Sequence, residues 1–501
     1  MADNLLSRFM QSITDPDKIL LTAPERKAVR YREAFSEAGR YAQVLAAHGV
    51  KPGDRVAVQV QKSMENLFLY LASLRLGAIY LPLNTDYTAS EVKYFIEDAE
   101  PRVFVGLPNN KESLAGIFGG GDVLTLGSDG ASGSLIEEAE KFAPAFENAD
   151  ISMNDLAAIL YTSGTTGRSK GAMLTHGNLW SNAQTLMQTW RFTEHDTLLH
   201  ALPLYHSHGL FVAINICLAA NASMILLPRF DADEIFRALP KATVLMGVPT
   251  FYTRLLNDAR LDRGSTRHMR LFVSGSAPLL AETHRQWRQR TGHAVLERYG
   301  MTETNMNTSN PYDGERVPGS VGFPLQGVEV RIVDESGQPL PPGEIGTIEV
   351  RGPNVFKGYW RMPDKTKAEF RGDGFFITGD LGTVDKEGYI YIVGRNKDMI
   401  ITGGFNVYPK EIETLIDEIS GVEETAVIGL PHPDFGEGVT AVVIAEPGVN
   451  LSEAEIKLAL DGKLAKFKTP KRVLFADKLP RNTMGKVQKN LLREQFRDLY
   501  R

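Results

Sequence analysis

The densest chemistry in the sequence lies in Thr162-Ser-Gly-Thr-Thr-Gly-Arg-Ser-Lys-Gly171. The hydroxyl residues Thr162, Ser163, Thr165 and Thr166 precede Arg168, and Gly164, Gly167 and Gly171 let backbone N–H groups close on an anion. Arg168 and Lys170 add positive charge. A triphosphate cradle needs this combination, but the spacing is not the Walker one: Gly164 and Gly167 stand too close, and Lys170 is followed by Gly171. The apolar run Leu156–Tyr161 before the loop reads as a buried strand, and the segment from Leu179 after it as a helix. A Ser/Gly stretch between two such elements is better explained as a phosphate loop than as a flexible linker.

The elements that must hold this loop follow an alternating plan. Strand-like runs at 54–60, 78–83, 102–105, 242–248 and 269–275 are separated by helical periodicity, which predicts an α/β fold of parallel-type sheets with crossover helices. After about residue 325 short strands at 328–333, 346–350, 374–378 and 389–393 lie between Gly/Pro/Asp turns, a β-rich subdomain in which Thr378-Gly-Asp380 reads as a turn. A small α+β domain starts near Gly394, with a helix from Pro409, strands at 424–429 and 439–445, and a helix at 452–464. The expected division is residues 1–394 as a large N-terminal domain and 395–501 as a small mobile C-terminal one. Charge is polarised in the small domain: residues 395–456 hold 3 basic and 12 acidic side chains, whereas 457–501 hold 13 and 4. That basic half reads either as a solvated face or as a surface that meets a polyphosphate.

Composition narrows the class. The chain has 501 residues, a net charge of −6 and 43% hydrophobic residues, which suits a soluble multidomain protein and gives no sign of a nucleic-acid binder. Lone Cys217 cannot form an internal disulfide and favours a reducing, cytoplasmic setting. The N-terminus does not read as a signal peptide. The uncharged stretch Thr197–Pro228 approaches spanning length but carries Pro203, Asn215 and Asn221, and is expected to be a buried helix running into a buried strand rather than a membrane span.

The loop motif resembles the signature of the adenylate-forming superfamily, which includes acyl-CoA synthetases. Tyr299-Gly-Met-Thr-Glu303, Thr378-Gly-Asp380, Gly394-Arg-Asn-Lys-Asp398, Gly403-Gly404 and Asn482-Thr-Met-Gly-Lys486 match further motifs in register. The resemblance implies two half-reactions: a carboxylate and Mg-ATP give acyl-AMP and pyrophosphate, then the CoA thiol displaces AMP. It implies that Thr162–Gly167 and Lys170 hold the β- and γ-phosphates, and that Glu303 binds Mg²⁺ beside the catalytic Thr302. Asp380 would take the ribose hydroxyls with Arg395 nearby, while Ser276, Ala277, Pro278, Glu297, Arg298, Tyr299 and Gly300 would surround adenine and the nascent acyl phosphate. Lys486 would contact the carboxylate and α-phosphate during adenylation only. The hinge falls on Lys397, and Gly403-Gly404 would border the pantetheine path after domain rotation.

The acyl pocket reads as polar. His206 lies in Pro203-x-x-His206, and Ser207 and His208 follow where fatty-acyl and aromatic-acid ligases place apolar residues. Arg254, on the first turns of a helix, could clamp a second carboxylate bidentately; Arg285 is a second candidate, although an exposed helix fits it better. His206-x-His-Gly-Leu, the 247–255 segment and Thr302–Asn310 resemble the malonyl-CoA synthetase family, with Met306 capping a small pocket. Ser207 stands where that family has Thr, which bears on discrimination against methylmalonate. Malonate, ATP and CoA are the expected partners, with no nucleic acid, membrane or obligatory protein partner. Activation of methylmalonate or another short acid, and loading of a carrier protein instead of CoA, remain as alternatives.

Overall fold

The computed structural model describes residues 3–119, 121–162, 169–482 and 485–500. Two large sheets carry the first part of the chain. The first has nine strands and a parallel centre formed by Leu296–Met301, Leu271–Ser274, Val244–Gly247, Thr197–His200, Ser223–Leu226 and Ile19–Thr22. Antiparallel Asn305–Ser309 and Phe323–Pro324 extend one edge, and Val29–Arg30 the other. The second sheet has seven strands: Leu156–Thr162, Ile79–Pro82, Arg55–Gln59, Val103–Gly106 and Asp122–Thr125 run parallel, and antiparallel Lys170–Thr175 and Gly358–Tyr359 close one edge.

The helix Met64–Leu76 shows how local sequence seats the sheets. Ser63 Oγ accepts from Asn66 N at its start, and Gly77 at φ 73° ends it. Every residue between is buried, Glu65, Asn66 and Arg75 included, which is why its pattern shows no solvent-facing stripe. The uncharged stretch forms a buried helical run, His208–Ile214 continuing into Asn215–Ala219, followed by the strand Ser223–Leu226. It is core. Among the described residues no helix is long and apolar enough to cross a membrane.

Three local expectations change. The loop after Thr162 leads into the strand Lys170–Thr175, which pairs antiparallel with Leu156–Thr162, so it joins two strands; the helix His176–Thr189 comes only afterwards. Lys170-Gly-Ala-Met-Leu-Thr is too short and mixed to announce a strand without its partner. Thr378-Gly-Asp380 lies inside the strand Phe376–Val384 of an antiparallel sheet completed by Glu329–Val333, Gly346–Arg351 and Ile390–Arg395. The helix expected at 452–464 stops at Leu460, ahead of Gly462 at φ 73°.

In the last part of the chain, Val422–His432 and Gly436–Ala445 form the central hairpin of a five-stranded sheet. Helices Pro409–Asp417, Glu453–Leu460 and Lys489–Gln495 accompany it. Part of the polarised charge is paired within this unit. Lys468–Glu411, Lys489–Glu413, Arg481–Glu424 and Arg493–Asp398 all pair the basic half with the acidic half.

The hairpin at Gly300 is sterically exact. A Cβ there would stand 1.8 Å from the carbonyl oxygen of Asn305. Gly300→Ala must therefore open the hairpin, and overpacking of this kind costs about 1–3 kcal/mol. A fall of a few degrees or more in melting temperature is expected by circular dichroism; unchanged melting would show that the hairpin relaxes freely.

Candidate active site

The predicted residues gather where the parallel strands of both sheets end. Beyond the carboxyl end of Thr197–His200 come Pro203–His206, beyond Val244–Gly247 comes Val248, and beyond Leu271–Ser274 come Gly275-Ser276. Ligand crevices in open α/β sheets form outside the carboxyl ends of the strands. Ser163, Gly164, Thr165, Thr166, Gly167 and Arg168 lie outside the described residues. Thr162 ends the strand that enters the loop, and Lys170 begins the strand that leaves it.

Asp380 is the best-connected member. It is 4% exposed; its Oδ2 accepts from the Tyr299 hydroxyl at 2.6 Å, and Arg395 Nε lies 3.0 Å from Oδ1. Asp380 and Arg395 face each other on paired strands. Lys486 belongs to the same cluster. Burial, together with the neighbouring Arg395, holds its ammonium down at about 8, while Asp380 and Asp398 pull the other way. Its loop is shaped locally: Asn482 Oδ1 accepts from Lys486 N at 2.9 Å, and Gly485 turns at φ 74°.

Glu303 is buried, and burial pushes its carboxyl up; its Oε1 accepts from the Tyr359 hydroxyl at 3.1 Å, with Lys170 and Arg395 nearby. A buried carboxylate near Lys170 is a donor of the kind that suits Mg²⁺, a hard cation that prefers oxygen ligands and arrives with ATP. Thr302, half-buried, precedes it. Glu297 Oε1 is held by His284 Nδ1 at 3.1 Å and by Gly319 N at 3.0 Å. Its buried side chain braces a loop.

At the acyl end, His206 is kept neutral by burial, its pKa lowered to about 4. Ser207 Oγ donates to Asn305 Oδ1 at 3.1 Å, and the adjacent Met306 is 2% exposed. His208 Nδ1 lies 3.2 Å from Ser276 Oγ, and Ser276 has φ 71°, a strained value of the kind found at ligand sites. Ala277 is half-buried and Pro278 exposed.

Arg298 is the residue whose role the sequence concealed. Its guanidinium is buried, burial lowers it to about 9, and its Nε and Nη2 have no hydrogen-bond partner among the described residues. Gly275 makes room for it: a Cβ there would stand 2.2 Å from Arg298 Cζ. The available signal was a charged pair inside the apolar run Val295-Leu-Glu-Arg-Tyr299. Arg254 is exposed, with its guanidinium 5.4 Å from the centre of the Phe230 ring. Arg285 pairs with Glu282 at 2.9 Å on an exposed helix face, which removes it as a carboxylate clamp.

Arg254 also lines a cavity of about 490 Å³, with Lys62, Arg229, Tyr205, Phe251 and Arg481 among the other walls. No acidic side chain is among its described lining residues. Lys62 Nζ meets His200 Nδ1 at 2.7 Å, and burial holds its pKa well below the usual lysine range. Gly403 and Gly404, at φ 58° and 82°, form the exposed turn between Ile400–Thr402 and Phe405–Val407. Lys397 sits in the short 3₁₀ turn Asn396–Asp398.

With this geometry in place, the comparisons are specific. The AMP-binding enzyme model matches residues 10–360, and the AMP-binding enzyme C-terminal domain model matches 411–486. The chain belongs to the AMP-binding enzyme family. It is 61% identical to MatB from Rhodopseudomonas palustris over 100% of both chains, with a TM-score of 0.98 to the ATP-bound crystal structure and 0.87 to the apo structure. It is 36% identical to a mitochondrial malonate–CoA ligase of Mus musculus, covering 93% of this chain and 86% of the relative. It is also 36% identical to a feruloyl-CoA synthase from Amycolatopsis sp, covering 94% of each.

Tyr299→Phe removes one donor from the buried Asp380 carboxylate, a loss of about 1–3 kcal/mol. AMP binding measured by calorimetry should weaken by roughly fivefold or more. Unaltered affinity would place Asp380 outside the nucleotide site.

Proposed function

We propose that this protein joins malonate to CoA at the expense of ATP, through malonyl-AMP. A malonate carboxylate oxygen attacks the α-phosphorus, the bond to pyrophosphate breaks, and the CoA sulfur then attacks the acyl carbon while AMP leaves. The observation that carries the choice of malonate is Arg298: a buried cation lacking partners on two nitrogens is costly unless an anion completes it. A short dicarboxylate supplies that anion with its non-reacting end, beside Ser276 and His208. Neutral His206 and Met306 bound the pocket, and Ser207 adds a small polar wall. A fatty chain would leave the guanidinium unmatched.

The remaining assignments follow charge. Four anionic groups must approach one another, so preset cations and hydrogen-bond donors supply most of the catalysis. Lys170 and the loop 162–167 take the outer phosphates, Glu303 the Mg²⁺, and Asp380 with Arg395 the ribose. Lys486 neutralises the reacting carboxylate and α-phosphate. The closer likeness to the ATP-bound neighbour fits this arrangement of Lys486. The thioester step then needs the unit after Arg395 to turn about Lys397, bringing Gly403-Gly404 to the pantetheine path; the boundary between 394 and 395 is part of this proposal. The cationic cavity around Lys62, Arg229 and Arg254 suits the phosphates of CoA. Cys217, buried in the core, fits a reducing cytoplasmic compartment.

A carboxylate panel with CoA and Mg-ATP should show pyrophosphate and AMP release dependent on malonate and negligible with octanoate. Release of ADP, or indifference to malonate, would refute the assignment. Arg298→Met should lower kcat/KM for malonate by at least about thirtyfold, a loss of 2 kcal/mol or more, while changing a monocarboxylate little. If Arg254→Ala shows that selectivity instead, Arg254 holds the distal carboxylate.

The pH dependence separates the half-reactions. Lys486 is charged below about 8 and loses its proton above it. Malonyl-AMP formation should therefore fall as pH rises through about 8, and Lys486→Ala should abolish it at every pH. Thioester formation from supplied malonyl-AMP should lack the limb and survive the substitution.

A further inference from the structure

The edge strand Gly358–Tyr359 lies against Lys170–Thr175, and its tyrosine joins two of the site's charged groups. The Tyr359 hydroxyl lies 2.6 Å from Glu369 Oε2 and 3.1 Å from Glu303 Oε1. Glu369 Oε1 receives Lys170 Nζ at 3.2 Å and Lys365 Nζ at 2.8 Å, and Lys170 Nζ also stands 4.2 Å from the centre of the Tyr359 ring. Lys170 is thus held on two sides by groups that follow it by about two hundred residues. The backbone seats them: Trp360 N donates to Gly171 O at 2.7 Å, and Thr366 Oγ1 accepts from Tyr359 N at 2.9 Å.

Resting on the ATP-dependent reading above, we propose that Glu369 and Tyr359 are positioning residues for the triphosphate. Glu369 fixes the Lys170 ammonium at the exit of the phosphate loop, and Tyr359 carries that constraint to Glu303. A lysine side chain has several rotatable bonds, and leaving it free costs binding when it must be ordered by substrate. Lys365 shares the Glu369 charge, so Lys170 is held without being fully neutralised and keeps charge for a phosphate. Neither residue need touch the reacting atoms.

The test is malonate-dependent ATP–pyrophosphate exchange on the full-length protein, with Mg-ATP and Mg²⁺ titrated separately. Glu369→Gln keeps the shape and removes the charge. It should raise KM for Mg-ATP about tenfold while kcat changes less than threefold, with thioester formation from malonyl-AMP unchanged. Glu369→Asp keeps the charge and shortens the reach; it should shift KM in the same direction and carries the test if the Gln variant does not fold. Tyr359→Phe retains the ring under Lys170 but frees Glu303, so the Mg²⁺ concentration for half-maximal exchange should rise at least threefold with a smaller change in KM for ATP. A structural role would instead lower both half-reactions together. Equal losses in both, or KM for Mg-ATP within twofold of wild type, would overturn the proposal. Absence of exchange in the wild type would overturn the functional reading itself; an active wild type with unmoved variants overturns only the positioning role.

Discussion

One buried carboxylate ties the parts of this molecule together. Asp380 receives the hydroxyl of Tyr299 from the nine-stranded sheet and pairs with Arg395 at the end of the antiparallel sheet, and its charge is felt by Lys486 from the last part of the chain. A carboxylate this buried is tolerated only while hydrogen bonds and opposite charge surround it. The two sheets are therefore held in one relation by the cost of separating them, whereas Lys486, whose charged form burial disfavours, is free to leave with its own unit. That relation defines the cleft.

The same principle runs in the opposite direction elsewhere. Arg298 and Lys62 are cations kept in buried surroundings without carboxylate partners, and Lys486 is only partly compensated. Folding alone gains nothing from such groups. They are the mark of sites whose missing charge arrives with a ligand, and the ligands of this reaction are all anions. By contrast, part of the charge polarity of the last 107 residues is paired between its two halves. The linear run suggested a basic surface; pairing in space consumes a share of it.

Legibility in the sequence varied with the range of the interaction. Buried strands such as Val244–Gly247, the helix start at Pro409, and the core nature of the uncharged stretch were readable, because each depends on neighbours a few residues away. The strand Lys170–Thr175 was missed because its reason for existing is the partner strand before it. Asp380 read as a turn residue because Gly379 precedes it, yet its cross-strand partner Arg395 makes it part of a strand. The partners of Glu297, His284 and Gly319, lie too far along the chain for its motif to announce them.

The sequence by itself determined the family, the order of its motifs and the identity of the chemical groups, since these reside in residue types at fixed local spacing. Tertiary structure decided which charges remain available. Arg285 is spent on Glu282 one helical turn away, Arg254 opens onto a cavity, and Arg298 is left unsatisfied beneath Gly275. Glu369 reaches Lys170 across the chain only because an edge strand brings it there. The physical reason is that the worth of a charge is set by desolvation and by the partners that folding supplies, and neither is a property of the residue alone.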